Sequence, residues 1–199
     1  MLKKVGELVQ GTTRQILIFK MPKVWFLSSG VKIYSAKKLF SKGTLTIGRN
    51  VTLDALGKKG IRLGHNVAIP EGCYFRCSGV ISELGEGLVV GDNTGFGHYN
   101  FINAQGGVTI GSDVIIGPYV KILAENHVFS EHDELIRLQG VTRKGIEIGS
   151  NVWIGAGVTI LDGVVIGDGC VIGAGSVVTK SIPSFTVAVG TPCKVVRSR

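Results

Sequence analysis

From Ile148 onward an aliphatic residue returns every six positions, at Ile148, Ile154, Ile160, Ile166, Ile172 and Val178. Gly follows at 149, 155, 167 and 173. Four places after each of the first five stands a small or β-branched residue: Val152, Val158, Val164, Cys170 and Ser176. The same phase recurs upstream as Ile47-Gly48, Leu63-Gly64, Val90-Gly91, Ile110-Gly111 and Ile116-Gly117. A helix repeats at 3.6 and a simple strand at 2, so neither explains six. Short strands joined by corners where Gly tolerates unusual φ do explain it. Three such faces give about eighteen residues per coil, wound into a triangular prism whose coils hydrogen-bond to one another. The pattern predicts an all-β chain built as a parallel β-helix.

Between the coil-opening dipeptides at 47, 63, 90, 110, 148 and 166 the intervals are 16, 27, 20, 38 and 18. Against about eighteen, one coil carries a short excess around 76–88 and one carries about twenty extra residues. That second excess must leave the prism as a loop, placed at 127–147. A solenoid is monotonous, and function gathers where it is interrupted. The expected organisation is an N-terminal cap segment over 1–44, the β-helix over 45–183, and a tail over 184–199.

Charge changes the picture at one end. Residues 1–42 hold nine Lys or Arg against Glu7 alone, and the rest of the chain is balanced, so the net +8 sits in the first fifth. Phe19, Trp25 and Phe26 lie among those lysines, a mixture that suits an anionic lipid surface and equally a solvated basic cap. Nothing in the head matches a nucleic-acid-binding motif. Gly at 30 of 199 residues is about twice the usual share and excludes a helical bundle, while the missing G-X-Y period excludes collagen. The most apolar run, 16–27, is cut by Lys20, Pro22 and Lys23 and falls short of a membrane span. No signal-peptide cleavage pattern opens the chain. Cys73, Cys77, Cys170 and Cys193 have no disulfide-framework spacing and read as reduced thiols of a cytoplasmic protein.

The runs 148–160, 171–183 and 189–197 (the last Val189-Gly-Thr-Pro-Cys-Lys-Val-Val-Arg197) resemble the hexapeptide-repeat acetyltransferases. Within them the likeness is greatest to the maltose and galactoside acetyltransferases and to enzymes that O-acetylate bacterial surface polysaccharide. It covers about 45–199 and is absent from the first forty residues. The resemblance implies a left-handed parallel β-helix, a homotrimer, acetyl-CoA as donor, and active sites in clefts between neighbouring subunits. The implied acceptor is a sugar or glycan, in capsule, exopolysaccharide or lipopolysaccharide assembly at the inner face of the cytoplasmic membrane.

Moving an acetyl group from a thioester to an alcohol needs a base for the hydroxyl proton, and His is poised near neutral pH. Of His65, His98, His127 and His132, His127 sits where the chain exits the prism, five places after Ile122 and 26 before Trp153. The resemblance assigns His127 the base role, in direct transfer without an acyl-enzyme. Glu125 and Glu134 are candidates to orient its ring or are solvated charges. Asn100 and Asn126 occupy positions where the repeat expects a small apolar residue, which suits a sugar hydroxyl or corner hydrogen bonding. Trp153 points outward, toward a cleft or a subunit interface. The family's CoA contacts match Ala156, Ala174, Thr179, Lys180, Lys194 and Arg197.

Three other readings follow from the same residues. The acceptor can be an amino sugar, making the enzyme an N-acetyltransferase. His127 and His132 are five apart, and with His98 they resemble the histidines of a zinc carbonic anhydrase of the γ type, which shares this prism. A non-catalytic binding solenoid is the third. The CoA-type tail favours a transferase with no metal.

Overall fold

The computed structural model describes residues 25–79 and 83–199. Its short strands fall in three parallel sheets, which are the three faces of a prism. The first face runs from Trp25–Leu27 through Leu45–Ile47, Val67–Ile69, Gly95–Phe96, Ile115–Ile116 and Trp153–Ile154 to Val171–Ile172, then takes up the tail strands. The second runs from Lys32–Tyr34 to Val177–Val178, and the third from Leu39–Ser41 to Val165–Ile166. Successive coils pair in register, as in Ile116 with Ile154 and Ile154 with Ile172. The sixfold aliphatic residues point inward and form one continuous core, with Ile148, Ile154, Ile160, Ile166, Ile172 and Val178 all buried.

The first coil occupies 25–41, inside the segment that charge alone marks as a cap. Trp25 pairs with Leu45 and Ile33 with Leu53, so among the described residues this coil is the first of the solenoid. Its lysines disguise it: Lys32 and Lys37 point to solvent while Trp25, Leu27 and Leu39 are buried. The part of the basic head before residue 25 lies outside the described residues.

The glycine of the Ile-Gly dipeptide serves a purpose other than unusual φ. A Cβ on Gly155 would run into the backbone of Gly173 and Ala174, and one on Gly117 into Gly155 and Ala156. The coils approach too closely there for any side chain. The left-handed conformation falls two residues later, in a column at the corner between the first and second faces. That column reads Gly30, Asn50, Gly72, Tyr99, Tyr119, Gly157 and Gly175, with φ between +54° and +74°. For Tyr this conformation costs about 1–2 kcal/mol. The corner between the third and first faces carries a ladder of short polar side chains. Asn66 Nδ2 donates to Asn93 Oδ1, and Asn93 Nδ2 to Asp113 Oδ1.

The described cysteines are free and buried. Burial raises the thiol pKa of Cys73 to about 11 and of Cys77 to about 12. Burial also raises that of Cys193. No described helix is long and apolar enough to cross a membrane.

Candidate functional site

The long excess leaves the fifth coil after Leu123 and Ala124 and returns at Ile146–Ile148. Its base is a two-stranded antiparallel ladder in which Asn126 faces Thr142 and His127 faces Val141. His127 therefore stands on a hairpin stem rather than at a coil corner, and it is exposed. Below it the stem is tied down on both sides. Arg143 Nε meets Glu125 Oε2 at 2.7 Å, and Arg143 Nη1 meets Glu83 Oε1 at 3.3 Å. From the sixth coil, the Asp162 carboxylate accepts the N–H groups of Lys144 and Gly145 at 3.0 and 2.9 Å. Toward the tip, Gln139 Nε2 donates to the carbonyls of Glu131 and Glu134 while its Oε1 accepts from the Glu131 N–H. Glu125 thus positions the stem through Arg143, and Glu134 is engaged through its backbone. The arm exposes Phe129, Leu135, Ile136 and Leu138.

The remaining candidates divide between the two long edges of the second face. At its leading edge Ala156 and Ala174 follow Gly155 and Gly173 on successive coils, both exposed. Beside them, ideal Cβ atoms on Gly157 and Gly175 would find nothing within 4 Å. The tail closes over the top of this track. Gly190 N–H donates to Ser176 Oγ and Cys193 N–H to the Val177 carbonyl, which brings Lys194 beside the seventh coil. Arg197 lies on the same terminal strand, Lys194–Ser198, paired with Val187. Trp153, 55% exposed, stands on the first face just before this edge, between Ile115 and Val171. At the trailing edge stand Asn126 and His127, with Thr179 and Lys180 on the seventh coil beyond Val178. A three-residue strand such as Lys121–Leu123 separates the edges by about 10 Å.

Asn100 corrects a sequence expectation. It is 2% exposed, and its Oδ1 accepts the Val120 N–H at 2.7 Å, so it faces the core and offers nothing to a sugar. Its Nδ2 has no partner among the described residues. Asn126, by contrast, is exposed on the stem, because the chain has already left the coil there. Among the described residues no three His, Cys, Asp or Glu side chains gather as a metal site requires. Sequence reasoning overlooked Arg143 and Asp162, whose roles depend on contacts across 18 and 17 positions. It also overlooked Tyr99 and Tyr119. Their signal is the Gly-x-Tyr of 97–99 and 117–119, where later coils have Gly-x-Gly at 155–157 and 173–175.

Comparison with known proteins adds the following. Residues 145–180 match the bacterial transferase hexapeptide family, six repeats. A probable acetyltransferase of Mycobacterium tuberculosis is 33% identical over 162 residues, covering 81% of this chain and 52% of the relative. The galactoside O-acetyltransferase of Escherichia coli is 40% identical over 90 residues, covering 45% of this chain and 43% of that protein. The crystal structure of a maltose O-acetyltransferase from Clostridium difficile superposes with a TM-score of 0.58 at 26% identity, covering 98% of this chain and 88% of the other. The chain spans about half the length of the curated relatives it matches. The prism is the left-handed parallel β-helix of such proteins.

Proposed function

Taking the chain as a member of the hexapeptide-repeat acetyltransferases, we propose that it moves an acetyl group from acetyl-CoA to a hydroxyl of a sugar or glycan. The observation that carries this reading is the division of the site residues. A small-residue track capped by cations lies on one edge of a face, and an exposed imidazole on a braced stem rises from the other. About 10 Å of strand keeps the two apart within one chain. A second copy turned about an axis parallel to the prism would bring one edge of each together, and a closed ring of three does so at every junction. The apolar arm at Phe129 and 135–138 then has a neighbouring surface to cover it.

Ala156 and Ala174 fit a slender pantetheine arm, since neither carries a side chain that would fill the groove. Lys180 and Lys194 are exposed cations suited to the phosphates, and Arg197 extends that charge along the tail strand. Thr179 supplies a hydroxyl beside Lys180, and Trp153 and Asn126 line the acceptor side. His127 takes the proton of the attacking hydroxyl as the new ester bond forms, then returns it to the departing thiolate. No acyl-enzyme is required. General-base help of this kind contributes about 10²–10⁴ in rate, with alignment supplying much of the rest.

The O-acetyl product agrees with the galactoside and maltose enzymes among the comparisons. A role in surface polysaccharide assembly, with residues 1–42 resting on the anionic inner face of the cytoplasmic membrane, agrees with the basic head. The test is a panel of sugars and lipid-linked glycans incubated with acetyl-CoA, reading free thiol and a hydroxylamine-labile acetyl ester. A hydroxylamine-stable amide would reassign the acceptor to an amino sugar, and no acceptor-dependent thiol would overturn the reading.

A further inference from the structure

Tyr99 and Tyr119 occupy the left-handed corner column on successive coils, where Gly stands on four of the others and Asn on one. A bulky aromatic residue is the costly choice at such a backbone, so two in a row need a reason. Both rings are about half exposed, which removes core packing as that reason. They lie parallel, with centroids 5.4 Å apart and planes within 10°. The stack has a floor and an open top. A Cβ on Gly72, one coil below, would collide with the Tyr99 ring, so that ring rests on the glycine. One coil above Tyr119 the column holds Gly157, where an added Cβ would meet nothing within 4 Å. A third flat ring is the object that would continue the stack there.

We propose that the Tyr99–Tyr119 stack is the acceptor platform, and that the open place above Tyr119 takes the apolar C–H face of a pyranose ring. This rests on the transferase reading above, and the geometry suits it. Tyr119 belongs to the same coil as the hairpin that carries His127. In a ring of parallel prisms, equal coils stand at equal height, so the neighbour's imidazole would face Tyr119 and the end of the Ala156–Ala174 track. The platform is indifferent to which hydroxyl is presented, since stacking uses the ring face. A free sugar and the terminal sugar of a lipid-linked glycan offer the same face.

The test is equilibrium dialysis of radiolabelled methyl β-galactoside and maltose against the full chain with CoA present, comparing wild type, Tyr119→Phe and Tyr119→Asn. Asn50 shows that Asn is accommodated in this column, so Tyr119→Asn should fold. The expected result is binding weakened about tenfold in Tyr119→Asn and kept within about twofold in Tyr119→Phe, with CoA affinity equal in all three. Equal sugar binding by all three proteins, or no binding of either sugar by wild type, overturns the platform. Weakened CoA binding in Tyr119→Asn overturns it too and assigns the ring to the donor. Sugar that binds through Tyr119 without acceptor-dependent thiol release would leave the platform standing and remove the transferase reading. Sugar binding weakened in Tyr119→Asn, together with acetylation of a lipid-linked glycan alone in a parallel thiol-release assay, would support the platform and identify that glycan as the source.

Discussion

Arg143 Nε closes on Glu125 Oε2 at 2.7 Å, with only 16% and 18% of the two side chains exposed, where the inserted hairpin meets the prism. The pair is charged, largely out of water, and two residues below His127 on the stem. Removing the guanidinium strands the carboxylate, at a cost above the ~1–3 kcal/mol of a neutral polar group, because it is charged. The loss should be local, because the core of the prism does not depend on the pair. Arg143→Met is expected to speed amide exchange at Val128 and to lower turnover about tenfold, while the melting temperature moves by only a few degrees. Unchanged exchange at Val128 would mean that Asp162 alone fastens the stem.

The buried thiols set an alkaline limit on stability. Their folded pKa values lie above the ordinary 9.0, at about 11 for Cys73 and about 12 for Cys77, because burial disfavours the thiolate. The unfolded chain therefore loses these protons first as pH rises. Their contribution is constant below about pH 9 and declines from there through pH 11–12, by up to about 1.4 kcal/mol per pH unit for each thiol. Denaturant titrations at pH 8, 9, 10 and 11 should show that downward slope, and Cys77→Ala should flatten it. A profile equally steep in the variant would place the alkaline loss elsewhere.

Where the solenoid begins can be tested by truncation. Removal of residues 1–44 takes away the first coil and uncovers Leu45, Ile47 and Leu53, each fully buried now. At about 1.5–3 kcal/mol per large apolar side chain, that should cost several kcal/mol. Removal of residues 1–24 leaves Trp25 in place and should melt well above the shorter form. The same cut removes Lys3, Lys4, Arg14, Lys20 and Lys23 and should weaken capture by phosphatidylglycerol vesicles. Undiminished capture would take the membrane role away from the head.

Asn100 should matter for folding and leave acceptor use alone. Asn100→Ala deletes the acceptor of the Val120 N–H inside the core, at about 1–3 kcal/mol. Its KM for a sugar should match wild type. A raised KM at unchanged stability would return Asn100 to the binding site.

Much of the fold was legible because a sixfold beat of aliphatic residues has few other structural solutions. Ile148 through Val178 announce the inward positions, and the following glycines mark where the coils approach closest. The first coil was hidden because Leu27-Ser28 and Ser41-Lys42 stand where the next coil carries Ile47-Gly48 and Leu63-Gly64, and because lysines crowd its outer faces. Asn100 misled because a polar residue inside a prism looks, in sequence, like one at its surface. His127 was legible as an exposed residue near a long excess, but the brace beneath it was not. Arg143 meets Glu125 and Asp162 meets Gly145 only after the chain has gone out along the arm and returned.

The most direct measurement is turnover by His127→Ala beside its affinity for acetyl-CoA. His127 is exposed on the stem, apart from the Ala156–Ala174 track, so its loss should leave donor binding intact and remove only the base. Turnover is expected to fall at least about a hundredfold, with the dissociation constant for acetyl-CoA within about twofold of wild type. Wild-type turnover in His127→Ala would contradict the account.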